Sequence, residues 1–264
     1  MTSPTSSLPP AQVGIIGFGA FGRLMARHLS PHVALLAHDP RLPPGDAQED
    51  GARPVTLAEA AACPVVVLAV PVRALAATVE AIRPHLRPGA LVADVGSVKC
   101  IPAAILRDGL PDHVEILGTH PLFGPQSARN GIAGLRIALC PIRGRQWLRH
   151  AAFLRRGLGL RVMVATPEEH DREAALAQGL THLIAKVLVR MEPMPGRMTT
   201  RSFELIQEAV GMVRDDAPEV FQAIEHSNPF AALVRRRFFG LAAELDQELE
   251  AGHPGPAPLA LASG

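Results

Sequence analysis

An α/β chain, with a doubly wound and mostly parallel sheet followed by a smaller all-helical domain, is predicted by three observations. Short apolar runs alternate with helical stretches as far as residue 165. That alternation implies parallel strands joined by helical crossovers. A glycine turn of G-x-G-x-x-G form links the first run to the first helical stretch. From Thr166 onward only helical periodicity remains.

The elements follow in order. QVGIIGFGAFGRLMARHLS reads as strand, tight turn and helix. VALLAHDP is a second apolar run ending in a carboxylate, and PVVVLAVP is a β-branched run of the kind buried on both faces. ALVADVGSV, EILGTHP and RIALCP repeat the strand pattern, with helical PVRALAATVEAIRPHL and CIPAAILRDGL between them. LRVMVATP is the last strand. Thr166, Pro167 and Glu169 then form a helix start, with Thr as N-cap, Pro in the first turn and Glu closing a capping box. The predicted organisation is a flexible tail over 1–11, a dinucleotide-binding domain over 12–165, a helical substrate and dimerisation domain over 166–250, and a second tail over 251–264. EPMPG interrupts the helical part, and FQAIEHSNPFAALVRRRFFGLAAELDQELE is an amphipathic stretch suited to core and subunit packing.

Composition narrows the function classes. The chain has 264 residues, 48% of them apolar, which suffices for a sizeable core. A net charge of +1 argues against nucleic acid and against an anionic membrane surface as partners. No apolar run reaches bilayer-spanning length, and the N-terminus lacks the charged and apolar regions of a signal peptide. Cys63, Cys100 and Cys140 form no metal-ligand spacing and read as core residues in a reducing cytoplasm, with no metal expected. Basic residues are nearly all arginine; Lys99 and Lys186 are the only lysines.

The stretch Gly17, Phe18, Gly19, Ala20, Phe21, Gly22 is the candidate cofactor turn of a Rossmann-type sheet. The first glycine permits the turn, the second lets backbone approach a pyrophosphate, and the third lets helix pack on strand. The helix N-terminus offers free N–H groups to phosphates. Asp39 follows the next strand at roughly the ~20-residue offset of a ribose-binding acid. Its carboxylate favours NAD; Arg41 nearby keeps NADP as the alternative. Val70 and Pro71 end a strand where a nicotinamide wall is expected, or where proline only turns the chain.

Three motifs choose among dehydrogenases of this architecture: DVGSVK, GTHPLFGP and EEHDREAALAQGLTH. Together they resemble the prephenate/arogenate dehydrogenase family of tyrosine biosynthesis, from about Val13 to Leu249. The helical part, with TTRSFELI, is similar to the short plant-type arogenate dehydrogenases. The resemblance implies oxidative decarboxylation of a cyclohexadienol: hydride leaves ring C4 for the nicotinamide, the C4 hydroxyl yields a proton, and CO2 departs as the ring aromatises. It makes His120 the base and Ser97 the alcohol that bonds both His120 and the substrate hydroxyl. It puts His182 in the substrate pocket, with Gln178 one turn earlier on the same face. His170 and Asp171 match a pair whose role is positional, and Lys99 reads equally well as a solvated residue at a helix start.

The substrate is arogenate or prephenate. A carboxylate near the side-chain amine selects arogenate, and Glu169 is the candidate, with the capping box as its competing role. Arg201 is the chosen partner of the substrate carboxylate, ahead of Arg197 and Arg129. Asp39 departs from the Ser-Arg of NADP-dependent plant-type members. The family also implies a homodimer through the helical domain. Two rival readings remain: a related oxidoreductase acting on an amino-deoxy prephenate analogue or a hydroxy acid, and a non-catalytic dinucleotide sensor.

Overall fold

A computed structural model describes residues 12–42, 46–191 and 193–252. Eight strands form one sheet: β1 (Gln12–Ile16), β2 (Ala34–His38), β3 (Ala52–Pro54), β4 (Val65–Leu68), β5 (Leu91–Asp94), β6 (Glu115–Pro121), β7 (Arg136–Arg143) and β8 (Arg161–Val164). Their order is β3-β2-β1-β4-β5-β6-β7-β8. The first six are mutually parallel, β7 runs antiparallel to β6, and β8 is parallel to β7. The reversal has a local cause: no helix intervenes between β6 and β7, so the chain folds straight back.

The helices are α1 (Ala20–Leu29), α2 (Asp46–Glu49), α3 (Leu57–Ala61), α4 (Val72–Ile82), α5 (Cys100–Gly109), α6 (Trp147–Arg156), α7 (Pro167–Arg190), α8 (Arg201–Val213), α9 (Pro218–His226) and α10 (Ala231–Gly252). The strand residues sort by parity, as a period of two requires. Ile16, Leu36, Val66, Leu68, Val92 and Ile116 join one buried cluster with Leu75, Val79 and Leu106 of α4 and α5. Val13, Ile15, Leu35, Ala37 and Val67 face the other side with Ala26 of α1. Both faces are covered, which is why these strands read as continuous apolar runs. No helix among the described residues is long and apolar enough to cross a membrane.

EPMPG falls between α7 and α8, which end at Arg190 and begin at Arg201. α10 continues through Gly252, past the expected tail boundary at 251. The rest of that stretch, and the tail over 1–11, lie outside the described residues.

The start of α7 is fixed by its capping box. Thr166 Oγ1 accepts from the Glu169 N–H, and the Glu169 carboxylate accepts from the Thr166 N–H at 2.8 Å. Thr166→Ala is expected to cost about 1 kcal/mol of unfolding free energy, measured by urea denaturation. These bonds hold the Glu169 carboxyl below its ordinary 4.5. A carboxyl depressed in the folded state stabilises above its unfolded pKa, and the benefit fades as pH falls through the lowered value.

Candidate active site

The carboxyl ends of β1, β4, β5 and β6 line one edge of the sheet in that spatial order. The strand order reverses between β1 and β4, where open α/β sheets hold ligands. At the end of β1, Gly17 has φ +95°, and a Cβ there would stand 2.3 Å from the Ala69 carbonyl and 3.1 Å from Val70. Only glycine fits this turn. A Cβ on Gly22 would meet the Gly17 carbonyl at 2.5 Å, so the helix lies directly on the turn. Around Gly19, by contrast, a Cβ would meet nothing within 4 Å. Gly19 caps α1 with no side-chain bond, and no acid sits in the first turn. The cradle is therefore open and its N–H groups suit a pyrophosphate. Gly19 and Ala20 are exposed at the turn while the Phe18 side chain is buried in the core, and Val70, between β4 and α4, stands against Gly17, with Pro71 next at the cap of α4.

Asp39 lies at the end of β2 and has a structural task as well. Its Oδ2 accepts from the Phe18 N–H at 2.8 Å, and Oδ1 accepts from the Arg41 N–H at 2.9 Å. The acid thus holds the glycine turn, and the Arg41 guanidinium lies 3.7 Å from its Oδ1. Arg41 is largely exposed.

His120 sits at the carboxyl end of β6, three strand spacings or about 14 Å from β1. It is 3% exposed. Its Nδ1 meets Nε2 of His170 at 2.8 Å, with the rings edge to face. His170 Nδ1 in turn meets Asp171 Oδ1 at 2.8 Å. Burial first, then His170 and Lys99, push the His120 imidazole well below its ordinary 6.5. A neutral imidazole is the form that accepts a proton.

Ser97 follows β5 and is half-buried. Among the described residues its hydroxyl makes no hydrogen bond, so the expected bond to His120 is not formed in this structure; Nδ1 of His120 is taken by His170. Lys99 is a correction to the solvated reading. It is 1% exposed, and its ammonium bonds the Asp94 carboxylate and, at 2.6 Å, the Thr119 carbonyl. Burial pushes the Asp94 carboxyl up against the pull of Lys99. Burial also pushes the Cys100 and Cys140 thiols up to about 12, which leaves them unreactive.

On the helical side, His182 is buried, its Nδ1 facing the Gln178 carbonyl at 3.0 Å and its Nε2 facing Asp216 Oδ2 at 3.2 Å. Asp216 lies between α8 and α9. Its Oδ1 comes within 3.9 Å of where a Cβ on Gly124 would stand, so it borders the loop that follows His120. Gln178 Oε1 is buried and has no hydrogen-bond partner among the described residues. Other expected residues stand apart. Glu169 is spent in its capping box on an exposed surface. Arg201 is 67% exposed and pairs with Glu204 and Glu208 of its own helix, which is no pose for a substrate carboxylate. Arg129 and Arg197 are exposed.

Asp216 was not legible in the sequence: VRDDAP carries no motif, and its partner lies 34 residues away. Lys99 had a signal, being one of two lysines and adjacent to a strand end.

Comparison with known proteins gives a consistent set. Residues 47–164 match the family model described as prephenate dehydrogenase, nucleotide-binding domain. The chain is 30% identical to Arogenate dehydrogenase 2, chloroplastic, of Arabidopsis thaliana, covering 83% of this chain and 64% of that one. It is 30% identical to 4-amino-4-deoxyprephenate dehydrogenase of Streptomyces pristinaespiralis, covering 80% of this chain and 72% of that one. Archaeal and plant relatives are longer: the chain spans 43%, 64% and 37% of three of them. Prephenate dehydrogenase from Aquifex aeolicus, solved with hydroxyphenyl propionate and NAD+, has the same fold, with a TM-score of 0.70 at 21% identity, covering 92% of this chain and 90% of that one.

Proposed function

The chain belongs to the prephenate/arogenate dehydrogenase family, and from that premise we propose that it oxidises arogenate with NAD, giving tyrosine, CO2 and NADH. The observation that carries this reading is the buried His120 imidazole, held by Nδ1 at a strand end beside the cofactor edge, with no partner on Nε2 among the described residues. When bound, the nicotinamide supplies the hydride acceptor. Gly17, Gly19 and Gly22 with the start of α1 would hold its pyrophosphate, Asp39 the ribose, and Val70 and Pro71 one face of the ring.

His120 Nε2 takes the C4 hydroxyl proton as hydride leaves C4, and Ser97 orients that hydroxyl. The electrons of the breaking carboxylate bond then aromatise the ring. The imidazolium returns its proton to the ring oxygen, so no net proton is released. General-base help of this kind is worth about 10²–10⁴-fold.

Asp216 supports the amino form of the substrate. Asp216, which borders the His120 loop, has Oδ1 as a further acceptor beside its contact with His182, and the Gln178 oxygen on α7 has no partner among the described residues. The arogenate ammonium supplies donors; the prephenate keto group supplies none. An assay of arogenate and prephenate against NAD and NADP tests this. Arogenate with NAD is the expected best pair, and no turnover in any of the four sinks the reading. Asp216→Asn is expected to lower the arogenate-to-prephenate ratio of kcat/KM by about tenfold or more. An unchanged ratio would remove Asp216 from selectivity.

The Streptomyces relative favours a second reading, with an amine in place of the C4 hydroxyl, so that analogue belongs in the same assay. Exposed apolar side chains on the helical elements, among them Leu205, Ile206, Leu241 and Leu245, support a homodimer formed through them.

A further inference from the structure

Asp171 belongs to α7 yet completes α5. No side chain of the local sequence caps that helix, and Lys99 occupies the cap position. Asp171 accepts the Lys99 N–H through Oδ1 at 2.6 Å and the Cys100 N–H through Oδ2 at 2.8 Å. The same carboxylate meets His170 Nδ1, and Asn228 Nδ2 donates to the Asp171 carbonyl. Asp171 is fully buried. Burial pushes its carboxyl up, but the bonds from His170, Cys100 and Lys99 outweigh that and hold it below its ordinary value.

These contacts dictate tautomers. A carboxylate can only accept, so His170 Nδ1 carries a hydrogen. With both rings neutral, His170 Nε2 is a lone pair that accepts the Nδ1–H of His120. Nε2 of His120 is left as the basic nitrogen.

We propose that His170, oriented by Asp171, is a positioning residue that fixes the ring angle of His120 and leaves its Nε2 directed to the substrate. This rests on the reading of His120 as the base. The Nδ1–H of His120 stays shared with His170 while the substrate proton sits on Nε2, and no other proton moves. Because Asp171 bridges α7 to α5, the base is correctly set only when the helical elements are seated against the sheet.

Two variants separate the halves of the chain of bonds. The Asn amide reaches about as far as Nδ1, so His170→Asn keeps a bond to Asp171 and loses His120. The Gln amide reaches about as far as Nε2, so His170→Gln keeps an acceptor for His120. We expect the Asn variant to lose about 10- to 100-fold in kcat with KM within about threefold. His170→Gln should recover kcat to within about fivefold of the parent.

The groups facing this pair are Asp94 at the end of β5, Lys99 and Cys100 at the start of α5, Cys140 of β7 and Asp171 of α7. The thiols stay neutral across the assay range. Equal losses in both variants, or full turnover in the Asn variant, would overturn the proposal. Full turnover in His120→Asn would instead overturn the base assignment, and this proposal with it.

Discussion

His120→Asn should lower kcat by about 10²–10⁴-fold while leaving NAD affinity within about threefold. The asparagine amide can still donate to His170 Nε2, so the buried contact survives. It offers no lone pair of imidazole basicity where Nε2 stood. The cofactor turn lies about 14 Å away across the sheet and should not register the change. Stopped-flow or steady-state NADH absorbance gives the first quantity, and fluorescence titration the second. The parent enzyme's pH profile is a companion check. The base works only when neutral, and burial, His170 and Lys99 all lower its pKa. The acid limb of kcat/KM should therefore fall below the ordinary imidazole value of 6.5. A limb at or above it would mean another group takes the proton.

The largest loss of stability is expected at Lys99. Removing one partner of a buried ion pair costs about 3–5 kcal/mol, because the other charge stays buried without compensation. In Lys99→Met the Asp94 carboxylate keeps only the Gly96 N–H, at 3.0 Å, and the Thr119 carbonyl loses a donor. At about 2–4 °C per kcal/mol for a chain of this size, Tm should drop by roughly 10 °C. The double variant Asp94→Asn with Lys99→Met removes both charges and should recover much of the deficit. If the single variant melts within about 2 °C of the parent, the pair is not a structural charge pair at all.

How far the sequence could be read depends on the range of each interaction. β4 and β5 were legible because both faces of the strand are buried, and the apolar run records that directly. The start of α7 was legible because a capping box spans only three residues. The direction of β7 was not, since RIALCP is equally apolar run either way and the reversal depends on the missing crossover helix. Lys99 looked solvated because helix starts usually are. Its burial arises from β6, where Gly118 makes room for its stem: a Cβ there would stand 3.2 Å from it. His120 stands out by its motif, but its contact with His170 does not, because that contact spans 50 residues. The ion pairs of Arg201 have a local cause, since Glu204 and Glu208 lie three and seven residues further along its own helix.

The carboxylate of Asp171 ties the two halves of the molecule together at the very spot where a base is armed. Parting those halves far enough to admit a six-membered ring would unfasten the first turn of α5 and strip His120 of its brace in one stroke. Chimeras that exchange the C-terminal half between relatives should inherit the same dependence, and succeed or fail according to whether the borrowed aspartate finds its helix.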